Sequence, residues 1–146
     1  PFPFEPPIAP HIAAARAGVV IEMETILACF NRIADQADCV VVEGVGGWEV
    51  PVGENAGMPD LARALGLPVI LVVGLRLGCI NHALLTANAA RMRGLQLAGW
   101  VANRVETPVD EEQAVIEAIA NRIGAPMLGN IRHNQQEFSR AFSLQL

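Results

Sequence analysis

Apolar and polar residues alternate along this chain in blocks whose spacing predicts helices and strands in turn. Residues 20–37 carry apolar side chains three and four positions apart, the repeat of one face of an amphipathic helix. Further helices are predicted at 59–65, 80–93 and 110–123, each followed by a glycine. Short continuous apolar runs predict four buried strands, at 39–43, 68–74, 97–103 and 126–131.

This order of elements predicts an α/β fold in which a parallel sheet is flanked by helices. The length of 146 residues suits a single domain spanning 1–146. The first ten residues contain five prolines, so residues 1–18 are expected to form an extended loop. Ligands of such sheets bind beyond the carboxyl ends of the strands, and candidate site residues are therefore sought there.

Composition and charge narrow the possible classes of protein. Apolar residues make up 52% of the chain and charged residues 17%, which fits strands that are covered on both faces. The net charge is −5 and no basic run occurs, so neither nucleic acid nor a membrane is an expected partner. The three cysteines are scattered, and their interpretation as reduced thiols predicts a cytoplasmic protein.

Glu43 stands at the end of the predicted strand 39–43, and glycine fills three of the next four positions. Glycine lets the backbone approach a ligand closely. A carboxylate at a strand end can hold Mg²⁺ beside nucleotide phosphates. The alternative, given equal weight, is a glycine-rich turn that leaves the acid in solvent.

The segment 76–83 follows the strand 68–74 and opens a helix. Gly78 permits close approach, and the amides of a first helical turn favour a carboxylate or phosphate. The alternative is that Asn81 only caps this helix, and His82 is interpreted as structural.

Asn103 ends the strand 97–103. Its side-chain amide offers both donors and an acceptor, so it could read the edge of a base. The alternative is an ordinary turn residue, because asparagine is common at the ends of strands.

Taken together, three stretches resemble the dethiobiotin synthetase family: VVVEGVGGWEVP, LPVILVVGLRLGCINHALLTA and LAGWVANRV. The segments EPPIAPHIAA and PMLGNI fit the same family in the same order, so the resemblance covers nearly the whole chain. The string GLRLGCINHALLT is its most specific part, whereas EGVGG alone would not identify the family.

The resemblance implies a P-loop NTPase-like, Rossmann-like three-layer fold and a homodimeric enzyme that uses ATP and Mg²⁺. Such an enzyme closes a cyclic urea on 7,8-diaminononanoate with CO₂, giving dethiobiotin for biotin biosynthesis. One amine captures CO₂ as a carbamate, ATP phosphorylates the carbamate, and the second amine closes the ring and expels phosphate.

The resemblance also implies roles for individual residues, with Glu43 as the magnesium ligand. ATP contacts are implied for Glu43, Gly44, Val45, Gly46, Asn103, Arg104, Arg132, His133, Asn134 and Glu137. Substrate contacts are implied for Pro10, Gly46, Leu77, Gly78, Cys79, Ile80 and Asn81. Asn103 corresponds to the adenine-reading residue, and Arg132 departs from the family pattern, which usually has proline after the strand.

The family's phosphate-binding GxxxxGK[ST] motif does not occur, and the chain contains no lysine. The chain is therefore expected to be the carboxyl-terminal two-thirds of a P-loop-type ligase, with the catalytic lysines in a preceding segment and none of the catalytic residues in the chain itself. Alone it is expected not to turn over ATP. Two alternatives are another amidase or ligase of the P-loop superfamily, and a truncated homologue that serves as a binding or dimerisation module.

Overall fold

A computed structural model describes residues 1–5, 7–105 and 111–133. The chain divides into two compact units, Pro1–Gly66 and Leu67–Leu146. The expectation of a single domain over 1–146 stays a prediction. Within the described part of the chain, no helix is both long and apolar enough to cross a membrane.

The first unit contains three helices in its described residues, and two of them confirm predictions. In chain order they are α1 (Pro10–Ala17), α2 (Met23–Ala34) and α3 (Met58–Leu65). The core of this unit is formed by Val52, Met58 and Leu61, against which Ile21 and Ile26 pack. The apolar face of α3 is buried, and apolar residues of α2 pack partly buried against the same cluster, which stabilises both helices.

Helix α1 shows that the expected extended loop over residues 1–18 is wrong. Pro10 lies in the first turn, where its fixed φ suits a helix and its missing N–H is not needed. The residues that follow are rich in alanine, the best helix former, and Ala13 and Ala14 are buried. Gly18 ends the helix in the left-handed conformation, with φ of 63°.

The predicted buried strand at 39–43 is also wrong, because these residues form no regular secondary structure. Val41 is 88% exposed and Val42 is 41% exposed. A run of valines favours extended backbone, but a strand is held by hydrogen bonds to a neighbour. The described β-pairing of this unit is a single antiparallel bridge between Pro51 and Gly57, which leaves the valine run without a ladder.

The described residues of the second unit form a three-stranded parallel sheet with two helices, which confirms the predicted α/β class. Its elements are β1 (Val69–Gly74), α4 (Cys79–Met92), β2 (Leu97–Asn103), α5 (Glu112–Ile123) and β3 (Met127–Ile131). The strand order is β1-β2-β3, and all pairs are parallel. The predicted boundaries of these elements agree with the structure to within about two residues, the usual uncertainty of helix and strand ends.

The core of the second unit lies between the sheet and its two helices. Trp100 of β2 and Ile119 and Ile123 of α5 are fully buried. Small residues on one face of α4, Ala83 and Ala87 among them, complete the same cluster. Their size lets α4 approach the sheet and α5 closely.

An arginine of α4 holds the carboxyl end of α5. The guanidinium of Arg91 donates to the carbonyl oxygens of Ile123 and Gly124, the latter at 3.1 Å. These carbonyls lie at the carboxyl end of the helix, where a cation also interacts favourably with the helix dipole. The position of α5 is therefore fixed at its carboxyl end.

Gly99 of β2 is buried where the side chain of Leu128 of β3 crosses it. A Cβ atom at Gly99 would lie 2.5 Å from Leu128 Cγ. We expect Gly99→Ala to lower the free energy of unfolding by about 1–3 kcal/mol, the usual cost of overpacking. Denaturant unfolding of the chain measures this value.

The matched control is the double variant Gly99→Ala with Leu128→Ala. Shortening Leu128 removes the clash, so the two losses of stability should sum to more than the loss in the double variant. Strict additivity would contradict the close packing at this position.

Candidate functional site

The carboxyl ends of the three strands in the second unit lie side by side. Gly74 of β1 pairs with Asn103 of β2, and Asn103 pairs with Ile131 of β3. The backbone N–H of Leu75 donates to the carbonyl oxygen of Asn103 at 2.8 Å, and that of Arg104 donates to Ile131 at 2.9 Å. Residues that follow the strands therefore emerge at one edge, where ligands of parallel sheets bind.

The connection from β1 to α4 is an exposed turn of predicted substrate residues. Gly78 has φ of 91°, a left-handed conformation that favours glycine, and it is the N-cap of α4. Leu77 is fully exposed, whereas Cys79 is 4% exposed and packs in the core. The amide of Cys79 donates to the carbonyl of Arg76 at 3.0 Å, so this amide already has a partner.

Asn81 does not act as a cap in this structure. The N-cap position belongs to Gly78, and no side-chain capping hydrogen bond is formed there. Asn81 and His82 are both exposed in the first turn of α4, and Ile80 is half-buried. The interpretation of Asn81 as a mere helix cap is therefore wrong, which leaves its amide exposed at the helix start.

Asn103 and Arg104 lie at the end of β2, and Arg104 forms an ion pair with the first residue of α5. The Nη2 atom of Arg104 donates to Glu112 Oε1 at 2.6 Å and lies 2.5 Å from Oε2. The two side chains are 30% and 17% exposed. The Arg104 Nε atom is buried and forms no hydrogen bond within the described residues. The pair ties the end of β2 to the beginning of α5.

The carboxylate of Glu112 lies near polar and charged side chains from the ends of two strands. The hydrogen bond from Arg104 lowers the pKa of the Glu112 carboxyl, and the side chain of Asn130 and the charge of Arg132 lower it further. The same pair raises the pKa of Arg104. Glu112 is therefore an ionised carboxylate at neutral pH.

Sequence reasoning missed Glu112. A signal was present, because an arginine directly after a strand and a glutamate in the first turn of the next helix can meet at the same sheet edge. Arg132 and His133, which follow β3, are exposed at their predicted positions. Asn134 and Glu137, which were also predicted to contact ATP, lie outside the described residues.

The first unit contains an apolar cleft that brings together three predicted site residues, Pro10, Glu43 and Val45. Its volume is about 340 Å³. Most of the remaining lining is aliphatic or aromatic, including Phe4 and Met58. Glu43 thus places a carboxylate at an apolar surface, a combination that suits a ligand with both a hydrocarbon part and a charged part.

Two different constraints explain the glycines after Glu43, namely backbone conformation and packing. Gly46 and Gly47 have φ of 64° and 128°, values that side chains rarely adopt, so the turn itself requires them. A Cβ at Gly44 would lie 3.3 Å from the Met58 Cε atom, so packing favours glycine there. The glycine-rich turn of the alternative interpretation is present, and it accounts for these residues without a ligand.

Glu43 could hold a magnesium ion only with help from other ligands. No group of three His, Cys, Asp or Glu side chains suited to a metal occurs among the residues that the structure describes. Mg²⁺ is usually held by one or two carboxylates together with waters and substrate phosphates. The exposed Glu43 carboxylate fits that role.

A family model described as "AAA domain" matches residues 1–137, and the chain belongs to this family, whose fold is P-loop NTPase-like. Two curated relatives specify the resemblance further. An ATP-dependent dethiobiotin synthetase BioD from Aromatoleum aromaticum is 54% identical over 91% of this chain. A protein of the same name from Janthinobacterium sp. strain Marseille is 52% identical over 83% of this chain.

The chain spans only part of the length of these relatives. The matched region is 59% of the Aromatoleum protein and 51% of the Janthinobacterium protein. The resemblance to dethiobiotin synthetases drawn from the motifs is confirmed.

The ion pair of Glu112 predicts a pH-dependent contribution to stability. Because the folded pKa of Glu112 lies below its ordinary value of 4.5, its contribution is present above that value and is lost as pH falls through the folded pKa. We expect Glu112→Gln to be less stable than the wild type at about pH 7, with a difference that shrinks below about pH 4. The contribution is modest, since solvent screens a partly exposed pair.

The matched control is Glu117→Gln on the exposed side of the same helix, where the carboxylate accepts a hydrogen bond from Gln113. Urea unfolding of the three proteins across this pH range measures the effect. If the stability of Glu112→Gln and that of Glu117→Gln both change with pH as the stability of the wild type does, the ion pair does not contribute as described.

Proposed function

We propose that this chain is part of an ATP-dependent dethiobiotin synthetase, which converts 7,8-diaminononanoate and CO₂ to dethiobiotin. The observation that carries the proposal is the identity of 54% and 52% to two proteins of that name, over most of the chain. The carboxyl ends of the parallel strands in the second unit lie side by side and support it, because nucleotides bind beyond such ends.

The proposed reaction joins two amines of the substrate through one carbon. One amine attacks CO₂ and forms a carbamate, whose oxygen is then phosphorylated by ATP. The second amine attacks the carbonyl carbon of this mixed anhydride, and phosphate leaves. The second amine and the mixed anhydride belong to one molecule, so ring closure is intramolecular, and holding that molecule in the reactive geometry would raise its rate.

The base of ATP is assigned to the edge that carries Asn103. The Asn103 amide has the donors and acceptor needed for the edge of adenine. Arg104, Arg132 and His133 follow the ends of β2 and β3, which supports their assignment beside the nucleotide. The assignment of Asn134 and Glu137 rests on the resemblance alone.

The carboxylate of the substrate is assigned to the start of α4. Leu77, Gly78 and Asn81 are exposed there, and the amides of a first helical turn attract anions. Ile80 would contribute through its backbone amide, whereas Cys79, whose side chain is buried and whose amide donates to Arg76, would hold the turn in place. The apolar cleft of the first unit, with Pro10 at its wall, supports the assignment of that unit to the hydrocarbon chain.

Mg²⁺ is assigned to Glu43, where the ion would neutralise charge on the phosphates of ATP. Gly44, Val45 and Gly46 would then border the phosphates, and Gly46 the substrate. The enzyme is proposed to be a cytoplasmic homodimer. The lysines that cradle phosphate and handle the carbamate would come from outside these 146 residues, which contain none.

The proposal is tested on the protein purified intact from its source. We expect it to form dethiobiotin from 7,8-diaminononanoate, ATP, Mg²⁺ and ¹³C-labelled bicarbonate, with the label in the ureido carbonyl, as measured by mass spectrometry. Omission of ATP or of the diamine should abolish the product. ATP-dependent chemistry that leaves the diamine unlabelled would contradict the proposal.

An intact mass recorded on the same sample separates two cases. A mass above 15.6 kDa, the mass of these residues, is expected together with activity. Full activity at 15.6 kDa would refute the expectation that the chain alone does not turn over ATP.

We expect Glu43→Gln to lower ATP-dependent turnover about a hundredfold, because a metal that stabilises transition-state charge contributes several kcal/mol. Part of the loss should be recovered at higher Mg²⁺ concentration, since the amide still binds the ion weakly. Steady-state rates across a magnesium titration measure both effects.

The control for this variant is Glu54→Gln, which removes an exposed carboxylate from the same unit. It should leave rate and magnesium dependence unchanged. Equal behaviour of the two variants would remove Glu43 from the proposed metal site.

A further inference from the structure

Glu112 occupies the point where three elements of the second unit meet. It is the first residue of α5 and accepts a hydrogen bond from Arg104, after β2, and the side chain of Asn130, on β3, is near enough to lower its pKa. The described residues to which base contacts have been assigned lie at the end of β2 or follow β2 and β3. A single carboxylate therefore lies beside both strand ends of the proposed base site.

The backbone around this carboxylate is fixed independently. Asn103 and Arg104 are hydrogen-bonded through their main chains to β1 and β3, so the backbone at the end of β2 has little freedom. The side chain of Arg104 still has several rotatable bonds, and its contact with both oxygens of Glu112 restricts them. What Glu112 adds is therefore the direction of the Arg104 side chain.

The start of α5 is also held in an uncommon conformation. Glu111, directly before Glu112, has φ of 51°, and among the described residues it is the one non-glycine with positive φ. Such a conformation persists where the surroundings over-determine it. At its other end α5 is held by Arg91. The helix thus presents Glu112 to the strand ends from a fixed position.

We infer that Glu112 is a positioning residue for nucleotide-base recognition, which acts through Arg104 to hold the adenine-reading side of the site in place. The inference rests on the proposed function, in which Asn103 reads adenine. Glu112 itself is assigned no contact with ATP. Its negative charge also neutralises Arg104, so that this arginine serves to shape the base site and does not compete for the phosphates.

The test compares three ligands whose differences isolate the base. ATP presents the adenine edge, ITP carries an oxygen in place of the exocyclic amine, and inorganic tripolyphosphate has no base. In the protein purified at its natural length, we expect Glu112→Gln to raise the Kd for ATP about tenfold, in line with losses of supporting residues elsewhere. The ratio of Kd for ITP to Kd for ATP should fall, and the Kd for tripolyphosphate should stay the same.

Glu117→Gln on the same helix is the control, and its three Kd values should equal those of the wild type. Thermal unfolding of each variant establishes that binding is measured on folded protein. A loss of structure alone would weaken the binding of all three ligands together. That pattern, or an unchanged ratio of ITP to ATP affinity in Glu112→Gln, would overturn the inference.

A double variant tests whether Glu112 acts through Arg104. If it does, Glu112→Gln combined with Arg104→Gln should bind ATP no more weakly than Arg104→Gln alone. Fully additive losses would overturn the route through Arg104.

Failure of this inference is distinguishable from failure of the proposed function. A wild-type protein that forms labelled dethiobiotin but whose base discrimination survives Glu112→Gln overturns only the role of Glu112. A wild-type protein that binds ATP no better than tripolyphosphate overturns the assigned base site and, with it, the role of Glu112.

Discussion

The parallel pairing of β2 with a strand on each side is the constraint on which the second unit depends. β2 is hydrogen-bonded along both edges, so its carboxyl end is fixed relative to those of β1 and β3. Asn103 therefore stands between Gly74 and Ile131, and the segments after all three strands emerge together. A parallel sheet needs a covering layer, and the buried Trp100, Ile119 and Ile123 provide the contact between strand and helix.

Charged side chains then decide how the helices meet the strand ends. α5 is held at its carboxyl end by Arg91 and at its amino end by Glu112. Each interaction matches the helix dipole, with a cation at the carbonyl end and an anion at the amide end. The two contacts supplement the apolar packing of α5 and restrict its movement along its own axis.

How well an element was predicted from the sequence depended on whether its own residue pattern is enough to form it. β2 and α4 were predicted well, because their apolar pattern is buried by partners inside the same unit. The run 39–43 has an equally strong pattern, but a strand requires a neighbour, and pattern alone does not supply one. Helix α1 was missed for the opposite reason. Proline was interpreted as a breaker, whereas Pro10 begins a helix that alanines continue.

The residues of the candidate site also differ in whether the sequence alone could identify them. Gly78 and Asn103 were recognisable from sequence because each stands directly at the end of an element. The partner of Arg104 was not, since Glu112 is eight positions away and only the fold decides which acid reaches it.

The charges of the acids and arginines bear on which part of ATP the sheet edge would suit in the proposed enzyme. ATP and the carboxylate of the substrate are anionic, yet these residues carry a net charge of −5 and no lysine. The arginine nearest the proposed adenine reader, Arg104, is already paired with Glu112 and brings little free positive charge to the sheet edge. In the proposed enzyme the end of β2 would therefore suit the base, and neutralisation of the phosphates would fall mainly to Mg²⁺ and to lysines outside these residues. Recognition of the base at Asn103 would then depend on the Arg104–Glu112 pair more than on the charge of the phosphates.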